Sequence, residues 1–232
     1  MSIYYNGKYL TEEFPYLQLV ERQTPPPEDK ELRDSAALMQ GEYDFSMMTG
    51  ERLAKNRPLT YVYKGHEYNK QHQLFDKMML ENWLLSGGYS NLEDKHEDPY
   101  YYYAKCVSVA MSEDTYSPAA IYTITFDAYP YKIKKTREGS PFWDDYDISD
   151  YYQEYKFEVN GSKAIEMMNT GNVGISPKII TDSPMTVVID GRSISLPTGQ
   201  SESDEIRFEK GMSTFTVTGN GTIEFEWYKE VR

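Results

Sequence analysis

Cysteine is nearly absent: Cys106 is the only one in 232 residues, so no intrachain disulfide can form and no Cys/His zinc pattern is available. A buried position in a strand is the expectation for such a small, lone thiol. Histidine is almost as scarce. His66 and His72 flank the start of a helical block and His96 sits in an acidic stretch, a spacing that does not make them converge on a metal, so solvated positions are expected for all three. Cations are short too, with 24 Lys and Arg against 37 Asp and Glu, a net charge of −13. Contact with phosphate backbones or an anionic membrane surface needs clustered Lys and Arg, which argues against direct nucleic-acid and membrane binding. No apolar run approaches the length of a membrane span, and no charged-then-apolar leader follows Met1, so synthesis and assembly in a cytoplasm are expected. GxSxG, P-loop and post-strand GxGxxG patterns are all missing, and Cys106 lacks a nucleophile signature. The chain reads as a non-enzyme with no catalytic residue, cofactor or metal.

What is abundant is tyrosine, 22 residues, beside 9 Phe and 3 Trp, in a chain with a mean hydropathy of −0.69. A sizeable core is possible only if tyrosine enters it, ring inward and phenol bonded, which favours strands and protein interfaces. Residues 57–131 form the centre of the first domain: a strand-like run at 58–64, a helical block at 71–86, and two further strand-like runs at 100–111 and 119–129. Tyr122, Ile124 and Phe126 alternate with Thr123, Thr125 and Asp127, the period of a sheet with one face buried. On the helix, Leu74, Phe75, Met78, Met79, Trp83 and Leu85 fall within half of the circumference, whereas Leu80 and Leu84 lie outside it. That stripe predicts a helix lying across the antiparallel sheet.

Upstream, Asn6-Gly7 between short apolar runs predicts a hairpin, 16–21 a strand, 24–29 a proline-rich loop, and 41–46 a strand-like rhythm. Residues 31–40 fit a helical turn or an irregular connection. Residues 87–99 read as an acidic surface loop after a double-glycine helix stop. Past residue 131 the texture changes, through the basic cluster Lys132, Lys134, Lys135 and Arg137 and the Gly139-Ser140-Pro141 break, and the domain boundary is placed here. Beyond it come alternating short runs of a β-sandwich, with turns expected at Asn160-Gly161, Asp190-Gly191 and Asn220-Gly221. The fold class is mainly β, with one packed helix in the first domain.

Three groups of residues invite a function. Glu224 and Glu226 are about 7 Å apart on one strand face, within the general range of glycosidase carboxylate pairs, but Phe225 and Trp227 take the core positions and leave both glutamates solvated. The basic cluster is either a docking element or a wet strand end. The run Tyr100, Tyr101, Tyr102 and Tyr103 is the candidate protein interface, because a strand can turn only two of the four into one core.

Tyr5-Asn6-Gly7, Gly41-Glu42-Tyr43-Asp44-Phe45, Asn56-Arg57-Pro58-Leu59-Thr60-Tyr61, Trp83-Leu84, the Asp98-to-Lys105 run and the 123–131 run occur in an order that resembles the distal tail protein family of long-tailed phages infecting Gram-positive bacteria. Asn169-Thr170-Gly171-Asn172, Ser176-Pro177-Lys178-Ile179 and the closing 219–225 run resemble that family's galectin-like domain. The resemblance implies a homohexameric ring at the virion tail tip, assembled in the host cytoplasm, with residues 1–135 forming the ring and 136–232 a galectin-like β-sandwich. Implied partners are further copies of the chain, the tail tube protein, and tail-tip and receptor-binding proteins. The chain is short for the family, with no room for an inserted carbohydrate-binding domain. Two other classes stay open: a lectin-like carbohydrate-binding sandwich, which needs an exposed aromatic cluster on the second domain, and a β-sandwich glycosidase, which needs Glu224 or Glu226 in a cleft.

Overall fold

A computed structural model describes every residue except 1, 36–39, 49, 66–68, 115–117, 141 and 143–150. Two compact units emerge, Met1–Ile133 with Arg232, and Lys134–Val231. The described residues are mainly β, with two helices.

In the first unit β1 (Ile3–Tyr5) and β2 (Lys8–Tyr9) form the expected hairpin, Asn6 and Gly7 taking φ of 47° and 80° as a type I′ turn requires. A helical turn, α1 (Leu10–Glu13), leads to β3 (Gln18–Gln23), and then β4 (Arg33–Asp34) and β5 (Tyr43–Asp44) pair with each other. β6 (Arg57–Lys64), α2 (Lys70–Leu84), β7 (Ser90–Asp94), β8 (Tyr100–Glu113) and β9 (Ala120–Lys134) complete it. The main sheet runs β2-β1-β7-β8-β9-β6-β3. Its register sets Leu59 opposite Phe126, Tyr61 opposite Ile124 and Tyr63 opposite Tyr122, and all six side chains are buried.

Three core tyrosines find a partner for the phenol. Tyr5 donates to the Gly88 carbonyl (3.0 Å), Tyr61 to Asp94 Oδ2 (3.1 Å) and Tyr122 to the Gln73 carbonyl (3.1 Å). Each buried ring contributes on the order of 2–3 kcal/mol, provided its hydroxyl is not stranded. Burial raises the phenols of Tyr61, Tyr63 and Tyr102, the last to about 12. The neutral form is the one the fold keeps, so this stabilisation is complete below the unfolded tyrosine range near 10 and is lost as pH rises through the higher folded values. Alkaline titration followed by tyrosinate absorbance should therefore show an early exposed class and a late class that ionises together with loss of secondary structure. A single smooth titration with the fold intact would contradict the packing.

Two expectations are corrected here. Residues 87–99 are not all surface loop, because β7 lies between β1 and β8. Asp94, at its end, is buried and accepts from Arg22 Nε (2.7 Å), the Tyr61 hydroxyl and the His96 amide (3.0 Å). Glu97 extends the network to the Arg22 Nη2 and to Lys132 Nζ (2.9 Å). The helix does pack on the unit, but of its apolar stripe only Trp83 packs against the core. Its buried residues are Gln73, Asp76, Leu80 and Leu84, with Trp83 stacked near Phe14. Gln73 donates to the Pro118 carbonyl (2.9 Å) and Asp76 accepts from the Tyr16 hydroxyl (2.6 Å), so polar side chains can occupy the inner face without penalty.

The second unit contains β10 (Lys156–Asn169), β11 (Lys178–Thr181), β12 (Met185–Ile189), β13 (Arg192–Leu196), β14 (Gly199–Glu202) and β15 (Gly211–Glu226). Strand order is β13-β12-β15-β11-β14, with β10 also on β15. Asp190 and Gly191 form the predicted turn between β12 and β13, at φ of 49° and 76°. The other two Asn-Gly pairs do not turn. β10 and β15 stay paired straight through them, Asn160 opposite Asn220 and Gly161 opposite Gly219. Both strands double over at that point instead. Phe215 and Phe225 would be about 33 Å apart on a straight strand, yet their ring centroids are 5.3 Å apart. The early half of β15 pairs β12 and the late half pairs β11, so the two halves face each other across a core of Phe208, Phe215, Phe225 and Trp227.

Candidate functional site

Among the described residues no group of three or more His, Cys, Asp or Glu side chains could hold a metal ion. His72 and His96 are exposed, and His66 lies outside the described residues. Cys106 is buried, and burial pushes its thiol up to about 11. Glu224 and Glu226 each meet a cation. Glu224 meets Arg137 (3.0 Å) and Lys156 (3.8 Å), while Glu226 meets Lys178 (3.3 Å).

Three members of the basic cluster meet acidic partners inside their own units. Lys132 holds Glu97, buried Lys134 lies 3.9 Å from buried Glu138, and Arg137 holds Glu224 and covers the Tyr155 ring at 4.1 Å. A shallow depression in the second unit is lined by Asp190, Arg192, Asp204, Glu205, Arg207 and Glu209 without an aromatic floor. The lectin-like reading asks for an exposed aromatic cluster, and this lining does not supply one.

The four tyrosines of β8 separate. Tyr102 turns into the core beneath the Arg57 guanidinium, 4.7 Å from the ring centroid, and no partner can reach it. Tyr100 and Tyr101 are half-buried. Tyr103 is exposed and stacks on Tyr89 at 5.5 Å, with Lys105 Nζ 5.6 Å from the Tyr89 ring. Tyr89 donates to Asp127, whose carboxylate raises the phenol, and Asn56 Nδ2 bonds both (2.9 and 3.0 Å).

Two larger apolar faces escaped the sequence reading as surfaces. The first is the outer side of α2, where Leu74 is 57% and Phe75 56% exposed, joined by Met78, Met79 and Leu85. At about 100° per residue these lie opposite the buried side chains. The stripe was visible in the sequence, but its direction was not.

The second face is a hairpin arm made by the described residues of 28–35 and 40–55. The Lys30 amide donates to the Leu53 carbonyl (2.7 Å), the Lys55 amide to Glu28 (2.8 Å) and the Phe45 amide to Leu32 (2.7 Å), and β4 pairs β5 near the tip. No described residue of the arm is buried. Tyr43 and Phe45 lie 6.1 Å apart, and Met47, Met48 and Leu53 are exposed with them, Met48 at 78%. Ion pairs such as Arg52–Asp29 (3.0 Å) and Lys55–Glu28 (3.4 Å) are surface pairs screened by solvent. Clusters of exposed large apolar side chains mark protein contacts. The arrangement supports binding to other proteins.

No protein-family model matches the chain, and no curated protein matches it. Among solved structures it is similar to the Dit (gp 19.1) protein of phage SPP1, described as a paradigm of the hub adsorption apparatus in phages that infect Gram-positive bacteria, at 14% identity and a TM-score of 0.65, over 98% of each chain. It is also similar to a chain of the phage p2 baseplate in its activated conformation with Sr, at 11% identity and a TM-score of 0.40, over 100% of this chain and 97% of that one. The chain therefore has, over nearly its whole length, the fold of the SPP1 hub protein.

Proposed function

We propose that this protein is a structural component of a phage tail, a homohexameric hub that joins the tail tube to the tail tip or baseplate and its receptor-binding apparatus. The observation that carries this reading is the end-to-end match to the SPP1 hub protein, which spans both units in one alignment. The two uncovered apolar faces support it, since a ring needs surfaces that a lone chain leaves open. In this reading residues 1–135 form the ring, and Tyr103 with Tyr89 belongs to its contact surface. Residues 136–232 form a galectin-like sandwich that carries tail-tip and receptor-binding proteins. Its work is mechanical, without catalysis, in a particle assembled in the host cytoplasm. Gold-conjugated antibody against this chain should label one point at the distal end of the tail in electron micrographs. Label along the whole tube, or on the capsid, would contradict the hub role.

A further inference from the structure

We infer that the free edge of β10 is a strand-addition site for an extended segment of another protein, uncharged and β-branched over most of its length, with a Lys or Arg beside Glu166. The site lies within the second unit and does not depend on the ring. Among the described residues β10 pairs with β15 alone, so its other side is an edge. The edge strands β13 and β14 are short, five and four residues, whereas β10 runs for 14. Long open edges invite pairing with another chain, and native sheets blunt them. Here the chain blunts only two places. Lys163 Nζ donates to the Glu158 carbonyl (3.3 Å), and the Gln153 side chain accepts from the Met168 amide and donates to the Met168 carbonyl (2.9 Å each). Met168 thus turns its main-chain groups away from β15. The register is unbroken from Ser162 to Asn169, so the alternation of an antiparallel ladder points the groups of Ser162, Ala164 and Glu166 the same way. No described residue bonds them, and all three residues are exposed.

The side chains beside this opening specify the occupant. On the outer face Ser162 lies opposite Thr218, Thr218 opposite Thr186, and Thr186 opposite Ser195, a hydroxyl row across four strands. The next row begins with Ala164 and Thr216 and is also uncharged. Only the third row, which begins with Glu166 opposite Thr214, brings a charge to the edge. In a chain with 26% charged residues, such a margin takes a further strand without burying unpaired charges. Main-chain bonds to the open groups would supply affinity and the side-chain rows would set register. Cross-strand hydroxyl pairs and opposite charges stabilise a sheet, which calls for Thr, Ser or Val beside Ser162 and Ala164 and a cation beside Glu166. A second copy fits less well. Antiparallel pairing of two β10 edges about Ala164 sets Glu166 opposite Ser162 and brings it no cation.

The test follows residue-resolved hydrogen exchange of the full chain with a probe, a short peptide of alternating threonine and valine with one lysine. In the free chain the amides of Ser162, Ala164 and Glu166 should exchange fast, and those of Lys163, Ile165 and Met167, bonded to β15, slowly. The probe at about ten times its dissociation constant is expected to slow the first three about tenfold. A164P removes one outward donor without touching the β15 ladder, as edge strands allow, and should abolish the slowing at Ser162 and Glu166. N-methylation of the bonding amides of the probe should abolish it in the wild type. E166K, at an exposed position, should instead favour a probe carrying glutamate in place of the lysine. No slowing in the wild type, or slowing that survives both A164P and N-methylation of the probe, overturns the site. Slowing at the same amides that grows with the concentration of the chain alone overturns the assignment to another protein, in favour of a second copy.

Discussion

Asp94→Ala will unfold the first unit under conditions in which the wild type is fully native, with a loss of about 3–5 kcal/mol. The carboxylate is buried and is the meeting point of the Arg22 guanidinium, the Tyr61 hydroxyl and the His96 amide. Removing it strands three donors at once. The cost is therefore the desolvation of what remains, larger than the value of the bonds themselves. Asp94→Asn keeps the volume and an acceptor for Tyr61 but gives up the charge facing Arg22, so it should fall between wild type and alanine. Denaturant titration of the three proteins checks the order. Equal stability of Asp94→Ala and wild type would mean that β7 is not held by this network.

Gly221→Val is the second large effect, about 3 kcal/mol, and should appear as lost hydrogen-exchange protection along β10 and β15. Gly221 sits at φ 139°, where side chains are strained, and a Cβ there would lie 2.1 Å from Asp182 Oδ1 and 2.5 Å from Ser183 Oγ. Neither neighbour yields cheaply. Asp182 accepts from the Thr222 amide at 2.7 Å, and Ser183 donates to the Asn220 carbonyl. The bend that brings Phe215 onto Phe225 depends on this close approach. By contrast Gly191, in an open turn with nothing within 4 Å of its Cβ position, should tolerate asparagine, which accepts positive φ. Matching losses at both positions would show that the doubled strand is not the feature Gly221 protects.

The Asn-Gly pairs show what a sequence can and cannot announce. Asn6-Gly7 turns, as does Asp190-Gly191, because the flanking strands pair with each other across the dipeptide. Asn160-Gly161 and Asn220-Gly221 have the same local chemistry, yet each sits opposite the other in a ladder whose partner is some sixty residues away. Local turn propensity is blind to that pairing. The alternation in β9 was legible because a half-buried strand writes its burial directly into its period. β7 was not, since the reason to bury Asp94 is Arg22, far away in the chain.

The helix is the most instructive case. Periodicity located α2 and its apolar stripe, but a stripe says only that something apolar covers it. Leu80 and Leu84, with Trp83 and the hydrogen-bonded Gln73 and Asp76, secure the inner face. The larger stripe belongs to a surface, so the interaction face was written in the sequence as if it were core. Tyr102 erred in the opposite sense, a candidate contact residue that the register of β8 turns inward.

Solution mass of the wild-type chain, by light scattering coupled to size exclusion over a range of concentrations, tests the hub reading most directly. The account predicts a species of six times 27.0 kDa that persists on dilution. A 27.0 kDa monomer at every concentration would contradict it.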